Sequence, residues 1–278
     1  MGFRIATNVQ SISAQRTLTQ TRQAQGRSIE KLSVGERIVR AGDDAAGLAI
    51  SEKLKASIRS IKQAGRNAND GISLIQVAEG GINEVQNILI RLRELSMQAA
   101  TDTVGDVERG FTDKEVKSLV EEVERISNVT RFNDKHLLNG TTGNLDFQVD
   151  INNNPEYDRI VYEASRVNTT TDHLGIVGLT VKTKQDAQEN LAKVDSAINV
   201  LNDGRSGLGG LQSKLQATMR NLSIHEENLA AANSRIRDTD IASETSEMAK
   251  QNILATSGTS ILVQANVNST MALRLIEG

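Results

Sequence analysis

The scarcity of proline is the sequence feature that most constrains how this chain can fold. Pro155 is the only proline among 278 residues, whereas average usage near 5% would give about fourteen. Because proline breaks the interior of a helix, the stretches before and after it can hold unusually long helices. The chain has only 4 Phe and 2 Tyr and no Trp, so it lacks the aromatic side chains that fill the core of a compact enzyme. We therefore predict a mainly α-helical protein.

Four series of apolar residues with steps of three and four predict how these helices pack. Such steps are typical of a coiled-coil seam, and four seams favour a long antiparallel helical hairpin or bundle. The first series stays in phase across Gly80 and Gly81, which predicts one continuous helix from the N-cap Asp44 to Ala99. The series are Ile75, Ala78, Ile82, Val85, Leu89 and Leu92; Val116, Leu119, Val123 and Ile126; Leu191, Val194, Ile198 and Leu201; and Leu208, Leu211, Leu215, Leu222, Leu229 and Ile236.

The middle of the chain has a different pattern. Leu145, Phe147, Val149 and Ile151 alternate with polar residues, and turn-forming residues follow at 152–155. A second strand-like run begins shortly afterwards. The pattern predicts a small β-hairpin near residues 145–165.

The two ends of the chain share a narrow apolar stripe among Gln, Asn, Ser and Thr. A stripe this narrow does not hold an isolated helix in water, so each terminal arm needs a partner. We expect the N- and C-termini to pair, and the chain to divide into a terminal helical domain of residues 1–44 plus 236–278 and a bundle of residues 45–235. The stripe residues are Ile5, Val9 and Ile12 in one arm and Ile253, Leu254, Ile261, Leu262, Leu273 and Ile276 in the other.

Composition argues against several classes of function. The chain has no cysteine, which excludes disulfides, thiol nucleophiles and thiolate metal sites. Its net charge of −3 does not supply the positive field that nucleic-acid binding needs. The apolar runs are too short for membrane insertion, and the first residues lack the apolar core of a cleavable signal peptide.

The motifs that carry chemistry are also missing from the sequence. His136, His173 and His225 are too scattered to be metal ligands, and we interpret them as solvated side chains. The glycines within 204–210 lack the strand and the lysine that flank a phosphate-binding loop, so a tight helix contact or a flexible joint is the better interpretation. We expect no catalytic residue, no metal, no cofactor and no enzymatic activity.

Long motifs near both ends resemble the signature of bacterial flagellins. The resemblance covers about the first 140 and the last 95 residues of the chain. The chain passes directly from Val181 to Lys193, as in a short flagellin that lacks large outer domains. The matching stretches are residues 32–38, 43–53, 66–76, 91–95, 227–238 and 251–254.

The resemblance implies a structural subunit that self-assembles into the helical flagellar filament used for motility. Paired termini would form the inner tube of the filament, the middle helices would form an outer one, and the subunit would leave the cell through the flagellar export channel. The implied partners are further copies of the chain, an export chaperone, and the hook-associated and cap proteins.

The resemblance also implies a contact with a host innate immune receptor. Arg91, Leu95 and Glu115 match positions that contact the flagellin-sensing Toll-like receptor in recognised flagellins. Arg91 and Leu95 are one i, i+4 step apart, so we expect them to project from the same helical face.

Three alternatives remain open on the sequence alone. A hook-filament junction protein shares the terminal design, although the unbroken match over residues 43–76 favours the filament subunit. A secreted receptor ligand is a role that accompanies assembly in flagellins. A chemoreceptor-like signalling rod would need membrane spans, which the sequence lacks.

Overall fold

The computed structural model describes the backbone of residues 7–277 and the side chains of residues 7–267. Long helices dominate these residues, and the prediction of a mainly α-helical fold is confirmed. The helices are α1 (Val9–Val34), α2 (Ala45–Ala99), α3 (Asp106–Val129), α4 (Lys184–Arg237) and α5 (Ile241–Glu277), with a short 3-10 helix at Ala164–Val167. The strands are β1 (Arg131–Phe132), β2 (Lys135–His136), β3 (Leu145–Gln148) and β4 (Arg159–Tyr162).

The chain forms two compact units. The terminal unit comprises the chain up to Ala56 and from Asn228 onward, and the central unit comprises Ser57–Glu227. These boundaries fall inside α2 and α4, whereas the expected division at residues 44 and 236 lies close to helix ends. The difference arises because each of these two long helices contributes residues to both units.

The core of the central unit is built on the first apolar seam of α2. Every residue of this seam is at most 1% exposed, and α3 and α4 contribute the other buried seam residues, such as Val123 and Leu215. The third and fourth seams lie on the same helix, α4, so the four seams belong to three helices. The step of seven from Leu201 to Leu208 continues the heptad, and the two intervening glycines, Gly204 and Gly207, do not interrupt it.

Helix α2 is continuous across Gly80 and Gly81, as predicted. Asp44 Oδ1 accepts a hydrogen bond of 2.8 Å from the Gly47 backbone N–H, which caps the start of the helix. Gly81 lies against two neighbouring side chains: a Cβ there would be 2.7 Å from Leu138 Cδ1 and 2.8 Å from Thr130 Oγ1. The glycine therefore allows the segment after α3, which contains Thr130 and Leu138, to approach α2 closely.

The predicted β-hairpin is present. Strands β3 and β4 pair antiparallel, with Leu145 opposite Tyr162 and Gln148 opposite Arg159. Tyr162 is fully buried, and its hydroxyl donates a 2.8 Å hydrogen bond to Leu137 O. Burial raises the pKa of this phenol above its ordinary value.

A second hairpin, between β1 and β2, was not predicted. Arg131 pairs with His136 and Phe132 with Lys135, and Asn133 and Asp134 between them both have positive φ, at 46° and 63°. Positive φ at both central residues is the geometry of a type I′ turn, in which Asn and Asp are tolerated. With only two residues in each strand, there is no alternation from which to recognise the hairpin.

Two carboxylates of α3, the half-buried Glu124 and the buried Asp113, hold the irregular segment that precedes α4. Glu124 accepts hydrogen bonds from Thr171 N at 2.9 Å and from Thr171 Oγ1 at 2.8 Å. The bond from the backbone N–H is the main cause that lowers the pKa of Glu124. Asp113 accepts from Thr180 Oγ1 at 2.6 Å and from Val181 N at 3.0 Å. Burial would raise the pKa of Asp113, but these hydrogen bonds and the Lys117 ammonium outweigh it and lower the pKa.

Candidate assembly surface

Helices α1 and α5 pack along each other in the terminal unit, so the expected pairing of the two termini is confirmed. Few of their side chains are buried: Leu18 and Ala265 are 7% and 6% exposed. Polar side chains connect the helices along their length. These contacts are Asn8 Nδ2 to Ala265 O at 2.9 Å, Ser11 Oγ to Asn266 Oδ1 at 2.8 Å, Gln25 Nε2 to Asn252 Oδ1 at 2.5 Å, and Lys31 to Glu244 at 3.9 Å.

The pairing of α1 with α5 leaves the predicted apolar stripes in solvent. Val9 is 65% exposed, Ile253 is 67% exposed and Ile261 is 60% exposed, and Ile12 and Leu254 are also exposed. Leu262 is half-buried. Of the other stripe residues, Ile5 and the side chains of Leu273 and Ile276 lie outside the described residues. We call the five exposed stripe residues the arm surface.

A shallow groove of about 500 Å³ runs between the two helices beside the arm surface. Ala14 and Thr17 of α1 and Gly258 and Ile261 of α5 contribute to its walls. A Cβ at Gly258 would lie 3.4 Å from Leu18 Cδ1, so the helices meet closely beneath it. The groove is open and largely uncharged, which suits the insertion of apolar side chains from another helix.

The connections that join the arms to the long helices are tied together within the terminal unit. Glu36 forms an isolated antiparallel bridge with Asp238, and Thr239 N donates to Gly35 O at 3.0 Å. The guanidinium of Arg237 pairs with Glu36 at 2.9 Å and also with Glu52. Sequence analysis assigned no role to these residues, although the connections lie in two of the motif stretches.

The three residues matched to receptor contacts are in different environments. The Arg91 guanidinium donates to Glu115 Oε1 at 2.8 and 3.0 Å and to Glu94 at 3.2 Å, and the side chains of Arg91 and Glu115 are about half exposed. Leu95 is only 2% exposed. The expectation that Arg91 and Leu95 share an exposed face is therefore corrected, because Leu95 extends the buried seam of α2 by one step of three beyond Leu92.

The expectations for the histidines and the glycine cluster are confirmed at some positions and wrong at one. His173 and His225 are exposed, but the expectation for His136 was wrong, since its Nδ1 is buried and has no hydrogen-bond partner among the described residues. The glycine cluster lies wholly within α4, and a Cβ at Gly204 would be 3.1 Å from Arg166 O. The interpretation as a tight contact is confirmed at Gly204, where the contact is with the 3-10 helix.

The described residues offer neither a metal-binding cluster nor a membrane-spanning helix. No group of three or more His, Asp or Glu side chains there is placed to hold a metal ion. No helix in the same part of the chain is both long and apolar enough to cross a membrane.

Comparison with known proteins gives the same family at both ends of the chain. Residues 5–142 match the family model of the bacterial flagellin N-terminal helical region, and residues 191–276 match that of the C-terminal helical region. A flagellin of Halalkalibacterium halodurans is 40% identical over 97% of this chain and 98% of its own length. A flagellin of Bacillus subtilis is 37% identical over 99% of this chain and 100% of its own length. The flagellar filament core protein flaB2 of Brachyspira hyodysenteriae is 38% identical over 98% of this chain and 99% of its own length.

Two solved structures are similar in fold. The crystal structure of a Bacillus cereus flagellin matches with a TM-score of 0.51 and 26% identity, covering 60% of this chain and 94% of that one. A Vibrio parahaemolyticus protein assigned as flagellar hook-associated matches with a TM-score of 0.58 over 70% of this chain and 100% of that one. At 14% identity, the second likeness is one of fold alone.

Proposed function

The chain belongs to the bacterial flagellin family, and we propose on that premise that it is the structural subunit of a flagellar filament used for motility. Relatives named as flagellins and as a filament core protein align over nearly the whole chain. Helix α4 begins at Lys184, directly after the segment that ends at Val181, which leaves no room there for a large outer domain. The hook-filament junction alternative is not favoured, because its support is a likeness of fold at 14% identity.

The exposed arm surface is the observation that carries the assembly proposal. Complete burial of a Val, Leu or Ile side chain is worth about 1.5–3 kcal/mol, and Val9, Ile253 and Ile261 gain only the smaller part of this free energy in the isolated subunit. Contact with neighbouring copies would recover it. When two non-identical surfaces meet head to tail without closing, they build an open helical polymer. We assign residues 1–44 and 236–278 to the inner tube of that polymer.

Export and the accessory partners follow from family membership as proposals. The subunit would leave the cell through the flagellar channel, aided by an export chaperone, and would be inserted at the filament tip beside hook-associated and cap proteins. The small number of buried side chains between α1 and α5 supports this route, because an arm with little core costs little to unfold. The final location would be extracellular, and the role would be structural rather than enzymatic.

Contact with the flagellin-sensing Toll-like receptor is a further part of this proposal. The exposed Arg91–Glu115 pair offers charged groups from α2 and α3 to a receptor. Leu95 is buried, so its contribution would be to position Arg91 through the packing of α2.

The assembly proposal is tested by changing one arm side chain in the full-length protein. Ile261→Asn should remove the burial of an apolar side chain, which is worth about 1–2 kcal/mol here. It should also force an amide into the contact, and the desolvation of that amide costs about 1–3 kcal/mol. A total of about 2–5 kcal/mol raises the concentration needed for elongation about 30-fold or more. Since Ile261 is 60% exposed in the isolated subunit, the monomer should keep its helices.

The matched control is Ile261→Leu, which keeps an apolar side chain of the same volume. Filament seeds are added to each monomer, elongation is followed by electron microscopy, and helix content is followed by circular dichroism. If Ile261→Asn elongates seeds as readily as Ile261→Leu, the arm surface is not an assembly contact.

A further inference from the structure

Asn139-Gly140 is the only asparagine-glycine pair in the sequence, and it lies in the irregular segment between β2 and β3. The backbone N–H of Gly140 makes no hydrogen bond within the part of the chain that the structure describes. The two aspartate-glycine pairs, at Asp70 and Asp203, lie inside α2 and α4. There the glycine N–H groups are engaged in the helix hydrogen bonds.

The side chain of Asn139 is held with its carbonyl oxygen polarised. Thr141 donates to Asn139 Oδ1 twice, from its backbone N at 3.1 Å and from its Oγ1 at 2.7 Å. Two donors on one carbonyl oxygen stabilise the negative charge that develops when a nucleophile attacks the carbonyl carbon. The first hydrogen bond also closes a ring that contains both Asn139 Cγ and the Gly140 nitrogen, so the two atoms that would react are kept within one turn.

We propose that Asn139 is a site of spontaneous deamidation through a cyclic imide. The Gly140 nitrogen forms a bond to Asn139 Cγ and loses its proton to solvent, and the Cγ–Nδ2 bond breaks as Nδ2 takes up a proton and leaves as ammonia. Water then adds to one of the two imide carbonyl carbons and breaks its bond to the ring nitrogen. The products are aspartate or isoaspartate at position 139, and no oxidant or reductant is needed.

Glycine at position 140 is required by the fold as well as by this chemistry. Gly140 has a φ of 69°, and a Cβ there would lie 2.7 Å from Asn168 Nδ2. The structural need for glycine therefore leaves its nitrogen unshielded by a side chain.

The reaction would change the surroundings of the turn. Asn139 Nδ2 points at Asn128 Oδ1, 3.4 Å away. A carboxylate in its place has no donor for that oxygen and adds a negative charge. The hydrogen bond between Asn139 and Asn128 of α3 is thereby lost in the deamidated subunit.

The test follows the reaction in the purified full-length protein, incubated in mildly alkaline buffer made with heavy-oxygen water. Peptide mapping by mass spectrometry measures deamidation and oxygen uptake at each asparagine, and an isoaspartyl methyltransferase detects isoaspartate. Asn139 should react faster than Asn233, which precedes Ser234 inside α4. Equal rates at the two positions would overturn the proposal.

Two variants of the exposed Thr141 test the role of its hydroxyl. Thr141→Val keeps the backbone N–H but removes Oγ1, and it should slow the reaction at Asn139 about tenfold, less than the hundredfold or more seen for a buried oxyanion donor. Thr141→Ser keeps the hydroxyl and should react at the parental rate. If Thr141→Val reacts as fast as Thr141→Ser, the polarised geometry is wrong.

Discussion

Adjacent glycines in the middle of α2 allow a test of how the central unit packs. Gly80 and Gly81 share the same helix and the same sequence context, but a Cβ at Gly80 would meet nothing within 4 Å. A Cβ at Gly81 would be 2.7 Å from Leu138 Cδ1 and 2.8 Å from Thr130 Oγ1. Neither neighbour is free to move: Leu138 is fully buried, and the Thr130 hydroxyl donates to Ile126 O at 2.8 Å.

The two alanine substitutions should therefore change stability in different directions. Alanine is better than glycine in a helix interior by about 0.5–1 kcal/mol, so Gly80→Ala should stabilise the central unit by that amount. Gly81→Ala gains the same helix term but overpacks the core, which costs about 1–3 kcal/mol. The gain in helix propensity is the same in both variants and cancels. The free energy of unfolding of Gly81→Ala should therefore be about 1–3 kcal/mol lower than that of Gly80→Ala.

The assay is urea unfolding of the full-length monomer, followed by circular dichroism without seeds and at a concentration where sedimentation shows no polymer. Leu138→Val removes the atom closest to the added methyl group, so it should offset part of the cost when combined with Gly81→Ala, in a double-mutant cycle. If Gly81→Ala is as stable as Gly80→Ala, the close approach of Leu138 and Thr130 to α2 is not a constraint on this position.

Three further substitutions test other contacts. Arg91→Asp should weaken receptor activation in a reporter-cell assay, whereas Arg93→Asp, which loses a comparable exposed ion pair, should not; equal responses would remove Arg91 from the contact. Asp113→Asn should cost about 1.5–3 kcal/mol near neutral pH. Because the folded pKa of Asp113 is lowered, that stabilisation is complete above the unfolded pKa near 3.9 and is lost as pH falls through the folded pKa. Urea unfolding should therefore show the parent and Asp113→Asn converging in acid, and a constant difference would contradict this. Arg237→Gln should break both ion pairs and so speed hydrogen exchange at the backbone amides near Glu36 and Asp238, where the two connections pair. Unchanged exchange there would show that Arg237 does not hold the connections.

The long helices and their seams could be predicted from the sequence because the information is local. A single series of steps from Ile75 to Leu92 sets which face of α2 is buried, and all of its residues are inside the core. The number of helices was harder to predict. The glycine-rich stretch after Leu201 reads as a break on turn statistics, but packing of Gly204 against Arg166 O keeps the residue inside α4.

Contacts between distant parts of the chain could not be predicted in the same way. Nothing local indicates that Arg237 meets Glu36 and Glu52, because these residues are brought together by the two connections of the terminal unit. Leu95 illustrates the opposite limit. It was assigned by resemblance as a surface contact, and the steps of its own seam place it inside the core.

Apolar side chains are distributed differently in the two units, and this difference explains how one sequence can both fold and polymerise. In the central unit the seam residues bury one another, so their free energy of burial is realised within one subunit. In the terminal unit the paired arms bury little beyond Leu18 and Ala265, and the arm surface remains in water. In the assembly that we propose, such a monomer would gain most of its stability from the central unit and would bury its arms in contact with other copies. Assembly would then depend on side chains that contribute little to folding, which is why we expect substitutions at Ile261 to separate the two processes.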